Sequence, residues 1–114
     1  MTDLSAAAVD AIRQLVEDIV RGDYTSIAAS GRIGRLTADE LRRAIAEYGR
    51  TLVSLPTGGI DAADVYPSTS NPSEVSVDLP LWTAEEGRSD LTLSLTVVED
   101  QGGPLVSISD LHVL

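Results

Sequence analysis

The spacing of apolar residues changes once along this chain, from three and four before residue 50 to two after it, and that change limits the possible folds more than any motif does. Leu4, Ala8, Ile12, Leu15, Val16, Ile19 and Val20 fall on one helical face, with Asp10, Arg13, Glu17 and Arg21 on the other. This is an amphipathic helix with a single stripe to bury. Arg13 with Glu17, and Glu17 with Arg21, are four apart and can pair weakly across turns. Thr2 or Ser5 can cap its start, and Gly22 supplies its stop. Asp23 then caps a short helix over 24–29 that Gly31 ends. A third helix begins at Thr37, where "TADE" forms a capping box: the Thr37 hydroxyl and the Glu40 carboxylate each satisfy an otherwise unpaired backbone N-H. Leu41, Ala44, Ile45 and Tyr48 make its apolar face, and Gly49 closes it.

From Thr51 the pattern is that of strands. "TLVSL" is a short strand stopped by Pro56, and 56–74 reads as a long, mobile, irregular loop with a brief strand or turn around 60–66. Val75, Val77, Leu79 and Leu81 alternate with Ser76, Asp78 and Pro80. Pro80 lacks the N-H a central strand uses, so this strand is expected to border the sheet or to bulge there. Leu91, Leu93, Leu95 and Val97 alternate with Thr92, Ser94 and Thr96 and give the cleanest strand. In the last strand, 105–114, the apolar set changes phase between Val106, Ile108 and Leu111, Val113. Keeping both pairs on the core face requires a bulge near Ser109 and Asp110. Helices followed by an antiparallel meander predict an α+β fold, with the N-terminal helices packed on one face of a curved antiparallel sheet. At 114 residues the chain reads as one domain, helical over 1–50 and sheet over 51–114.

Composition removes several classes of function. The chain has no Phe, one Trp and three Tyr, so its core must be aliphatic. Without Cys and with one His it offers no disulfide framework, no thiolate or ordinary zinc site, and no cysteine nucleophile. No cofactor motif is present. Asp3 stands where a signal peptide would carry positive charge, and the apolar residues after it are periodic, so a soluble cytoplasmic protein is expected. Formal net charge is -10, and it is unevenly spread: residues 51–114 hold ten acids and only Arg88, while residues 1–50 hold eight acids and seven Arg. An acidic sheet half repels nucleic acid and anionic membrane and favours a basic protein partner. The opposite halves of two copies also allow a head-to-tail homodimer.

Three segments carry candidate chemistry. Residues 82–90 are expected to form a hairpin rim with Glu85, Glu86 and Gly87 at its tip, Gly87 supplying the positive φ such a turn needs. There Trp82 is an aromatic anchor, with Glu85, Glu86, Arg88 and Asp90 around it. The set reads either as a recognition loop for a basic partner or as a local ion network in which Arg88 relieves Glu85, Glu86, Asp78 and Asp90 while Trp82 covers the core. A pocket at the open end of a curved sheet is the second candidate, with Tyr48, Asp110 and His112 as its polar residues. Alternation places His112 on the solvent face of the last strand, and Asp90 reads as a turn carboxylate, so a catalytic dyad rests on residue type alone. The third is "GRIGR", a G-x-x-G between helices that resembles the backbone clamp of the KH fold, with Arg32, Arg35, Arg42 and Arg43 near it. The strand order and the negative charge oppose that reading. The glycines then serve a tight link, and the arginines pair with Asp39, Glu40 or the acidic half of another copy.

The segments "VEDIVRGDY", "LTADELRRAIAEYG" and "LPLWTAEEGRSDLTLSLTV", with the ending "ISDLHVL", resemble a family of small bacterial proteins that carry an LW-x-x-EEGRSDL segment. The resemblance spans nearly the whole chain and is most specific over 81–93. It brings no established activity. The expected fold is similar to the cone-shaped class of nuclear transport factor 2 and the cystatins. Some similar small acidic bacterial domains act as immunity proteins against toxins, an analogy that implies a basic toxin domain as partner. The expected function is accordingly a non-enzymatic protein-binding domain, the alternative being a pocket domain that binds or turns over a small molecule.

Overall fold

The computed structural model describes residues 4–34, 36–100 and 102–113. Thr2, Asp3, Arg35 and Leu114, to which the sequence assigns a cap, a charge, a place in the arginine patch and a strand end, lie outside the described residues. Helix α1 (Ala6–Val20) starts at Ser5, whose Oγ accepts from the Ala8 N-H at 3.1 Å. Gly22, at φ 74°, follows its end. Helix α2 (Tyr24–Ala29) follows Asp23, but the Asp23 side chain makes no capping hydrogen bond, contrary to expectation. Its backbone, at ψ 57°, is outside the extended range from which a cap side chain reaches the first turn. In α3 (Ala38–Tyr48) the capping box is complete: the Glu40 N-H donates to Thr37 Oγ1 and the Thr37 N-H to Glu40 Oε1, both at 3.0 Å.

The strands are β1 (Leu52–Val53), β2 (Asp64–Pro67), β3 (Glu74–Thr83), β4 (Gly87–Asp100) and β5 (Gly103–Val113), with a 3₁₀ turn at Gly59–Ala62. They form one antiparallel sheet in the order β1-β3-β4-β5, with β2 also paired to β3. The architecture is α+β: three helices in the first half, then a strongly curled sheet. The connection over 56–74 is more ordered than its composition implies, because β2 pairs along β3 from Asp64↔Asp78 to Pro67↔Val75.

β3 is not a border strand. One flank carries β4, and the other carries β2 opposite 75–78 and β1 opposite Trp82 and Thr83. Pro80 falls between those two short strands, so its missing N-H removes no ladder bond on that flank. The pairing with β4 also shifts beside it, from Pro80↔Thr92 to Trp82↔Arg88. Of the two expectations for Pro80, the border position is not met, while an irregularity does fall beside it, with its extra residues on β4 and not on β3 itself. The second bulge is where the phase change demands it. Leu95 faces Ile108 and Ser94 faces Asp110, so Ser109 is the extra residue, and Leu111 and Val113 return to the inner face opposite Leu93 and Leu91.

That inner face supplies Val77, Leu79 and Leu81 from β3, Leu91, Leu93, Leu95 and Val97 from β4, and Val106 and Ile108 from β5, all buried. Ile12, Leu15 and Ile19 of α1, Ile27 of α2 and Leu41 of α3 close over it. Each fully buried side chain of this size contributes about 1.5–3 kcal/mol relative to exposure. The free edge of β5 is strapped at its middle by the link between α2 and α3: the Ile108 N-H donates to the Arg32 carbonyl at 2.7 Å. Gly34 lies so close that a Cβ there would stand 2.0 Å from the Ile108 oxygen. Among the described residues no helix is long and apolar enough to cross a membrane.

Candidate functional site

The hairpin between β3 and β4 is tighter than an 82–90 rim. The strands continue to Thr83 and restart at Gly87, leaving a three-residue tip with Gly87 at φ 74°. Trp82 and Arg88 are therefore cross-strand partners. Glu85 accepts from the Thr51 N-H at 2.8 Å and from the Thr51 hydroxyl at 2.9 Å. These bonds, first the backbone one and then the hydroxyl, hold its carboxyl below the usual Glu range. Glu86 accepts from the Tyr48 hydroxyl at 2.9 and 3.1 Å and from Thr83 Oγ1 at 3.2 Å. Both tip carboxylates thus fasten the hairpin to the end of α3 and the start of β1. The ion network expected around Arg88 does not form: Arg88 is exposed and makes no ion pair with any described residue. Asp90 is exposed beside it. Trp82 packs half-buried against the core, and its indole Nε1 is buried without an acceptor.

The outer sheet face presents a different arrangement. Residues directly opposite on neighbouring strands share a face, and the registers Asp64↔Asp78, Asp78↔Ser94 and Ser94↔Asp110 put three aspartates and a serine in one row across four strands. Ser94 Oγ donates to Asp78 Oδ1 at 2.7 Å. In the next row His112 faces Thr92, and its Nδ1 lies 3.2 Å from Asp110 Oδ2. Like charges placed directly opposite destabilise a sheet, so the Asp64↔Asp78 pair costs the strands stability. Register alone creates it, since no two of its members lie closer than fourteen positions in the chain.

A groove of about 370 Å³ runs between the second half of α3 and the ends of β4 and β5. Ala44, Glu47 and Tyr48 form one wall, Leu91 with Leu111, His112 and Val113 the other. Tyr48 and His112 thus border one groove, while Asp110 is not among its lining residues. Alternation turns Leu111 and Val113 to one face of β5 and Asp110 and His112 to the other. Tyr48 meanwhile spends its hydroxyl on Glu86. The three polar residues therefore do not converge on one point. Among the described residues no group of three His, Asp or Glu is placed to hold a metal ion.

Asp18 gave no signal in the sequence, because its partner Arg32 lies on another element. It is only 4% exposed, and it pairs with Arg21, with Arg32 at 2.7 Å and with Gln14 at 3.0 Å. Burial pushes its carboxyl upward, but the bonds from Arg32 and Gln14 and the charges of both arginines outweigh burial and hold it below the usual Asp range. Arg32 is therefore committed to α1 rather than open to phosphate. Arg42 and Arg43 pair with Asp39, the second at 2.8 Å, as the reading of "GRIGR" as a link expects.

The family model for a domain of unknown function (DUF7668) matches residues 16–114. No curated protein and no solved structure matches the chain.

Proposed function

The chain belongs to the DUF7668 family, a domain of unknown function, and from that premise we propose that it is a non-enzymatic binding module whose outer sheet face meets a basic protein. The observation that carries this reading is the row Asp64, Asp78, Ser94, Asp110. A cationic partner laid across it relieves the repulsion between these carboxylates, so binding and stability are coupled. Arg88 is the only arginine after residue 50, which leaves the sheet half's field strongly negative and able to speed encounter with positive charge. The tip carboxylates Glu85 and Glu86, being engaged within the chain, are supports of this surface and not its contacts. A basic toxin domain, covered as an immunity protein covers its target in the cytoplasm, is the form of partner we favour, and the curled sheet supports a cone of the nuclear transport factor 2 type.

The test is a fluorescence-anisotropy titration with a labelled arginine-rich peptide, at low and at physiological salt. Asp64→Asn, Asp78→Asn, Asp110→Asn is compared with a charge-matched control, Asp10→Asn, Glu17→Gln, Asp23→Asn. Both variants lose three negative charges, and none of the control's side chains makes a hydrogen bond or ion pair among the described residues. The row variant should lose most of the salt-sensitive binding and the control little of it. Equal losses would reduce the interaction to net charge and remove the row from the reading.

A further inference from the structure

We propose that the groove beside α3 is a binding site for a small aliphatic amine, a ligand with an apolar body and one positive charge. This does not depend on the outer-face reading, since the groove is lined by other residues apart from the shared border at His112. The apolar part of the ligand meets Ala44, Leu91, Leu111 and Val113. Leu91 is buried, but Val113 is 57% exposed at the end of a strand, and covering it releases water from an aliphatic surface that the chain itself leaves open. A volume of about 370 Å³ is at the small end of ligand sites, which sets the size of the occupant.

The charge follows from the polar lining. Tyr48 donates its hydroxyl to Glu86. His112 Nδ1 lies 3.2 Å from Asp110 Oδ2 and is buried, without a hydrogen-bond partner, so it is closed to a ligand in the groove. Glu47 is exposed, lines the groove, and is engaged by no described residue. No arginine lines the groove and Glu47 is its one carboxylate, so a carboxylate or phosphate meets the repulsion of Glu47, whereas an ammonium group finds that carboxylate open to it.

The experiment is a set of two-dimensional amide NMR titrations of the full chain with hexylamine, 1-hexanol and hexanoate at neutral pH and low salt. Hexylamine should shift the Leu91, Leu111 and Val113 amides saturably. 1-Hexanol should shift the same amides with about fivefold weaker affinity, the range of an exposed ion pair, and hexanoate should not bind. In Glu47→Gln, a conservative change at an exposed helix position, hexylamine should fall to the level of 1-hexanol while 1-hexanol is unchanged. The proposal is overturned by equal wild-type affinities for amine and alcohol, by an amine preference that survives Glu47→Gln, or by amine shifts confined to Asp64, Asp78 and Asp110.

Discussion

The two glycines of the G-x-x-G link, Gly31 and Gly34, have the same backbone requirement and different surroundings, so one substitution at each separates conformation from contact. Both have positive φ, 76° and 63°. Replacing either by Ala places a Cβ in left-handed backbone at a cost of about 1 kcal/mol. At Gly31 nothing lies within 4 Å of the new carbon, and the cost should end there. At Gly34 the Cβ would stand 2.0 Å from the Ile108 oxygen, where about 3.3 Å is the closest comfortable approach. The link must then withdraw from β5 by more than about 1 Å. That movement breaks the 2.7 Å bond from the Ile108 N-H to Arg32 and loosens Arg32 from Asp18, adding about 2–3 kcal/mol for a lost bond and a donor left unpaired. Gly34→Ala should therefore destabilise by about 3–4 kcal/mol and Gly31→Ala by about 1 kcal/mol. Urea unfolding followed by Trp82 fluorescence measures both, and hydrogen exchange at Ile108 reports whether the strap has lifted. If the two variants agree within about 0.5 kcal/mol, or Ile108 stays protected in Gly34→Ala, the close approach of link and strand is refuted.

Acid should find the same clamp. Asp18 is held below its ordinary value of 3.8, so its contribution is complete above that pH and is lost as pH falls through the lower folded value. Asp18→Asn should cost about 1–3 kcal/mol at neutral pH, and its melting temperature should fall less steeply than wild type between pH 4 and pH 2, as scanning calorimetry measures. A wild-type slope retained in full would remove Asp18 as a contributor. Glu85 is shifted in the same direction, so the contribution of its contact with Thr51 is complete above its ordinary value of 4.5 and is lost as pH falls through the lower folded value. Glu85→Gln should speed exchange of the Thr51 amide while leaving that of Leu93 unchanged; an unaltered Thr51 rate would mean that the bond does not persist in solution.

What could be read from the sequence was what short spacing determines. The three helices, the Ser5 cap, the capping box at Thr37 and the Gly87 turn each depend on residues within four positions of one another. The Ser109 bulge was legible because a phase change within one strand has only one remedy if both apolar pairs are to stay buried. What depended on partners distant in the chain was not legible. Pro80 argues for an edge when β3 is considered alone, and only the split flank of β2 and β1 explains a proline in a central strand. Glu85 and Glu86 look outward until Thr51 and Tyr48 are brought to them from more than thirty positions away. The aspartate row is invisible without registers, because each member reads singly as an ordinary solvent-facing residue. Asp18 was hidden for the same reason, its decisive partner Arg32 lying on another element.

The division of one flank of β3 between β1 and β2 also bears on how the sheet assembles and how it fails. β3, β4 and β5 are joined by short turns, so their ladders can zip outward from two local nuclei with little loop-closure entropy. β1 must return from thirty-one positions away to form two pairs, Leu52↔Thr83 and Val53↔Trp82. That flank is consequently the last to close and the first to open. A bare ten-residue strand would then be a template for another chain, but Pro80 interrupts its row of donors near the middle. An opened molecule offers two short stubs in place of one continuous edge, and the residue that seemed misplaced in a central strand protects the chain against aggregation while it folds.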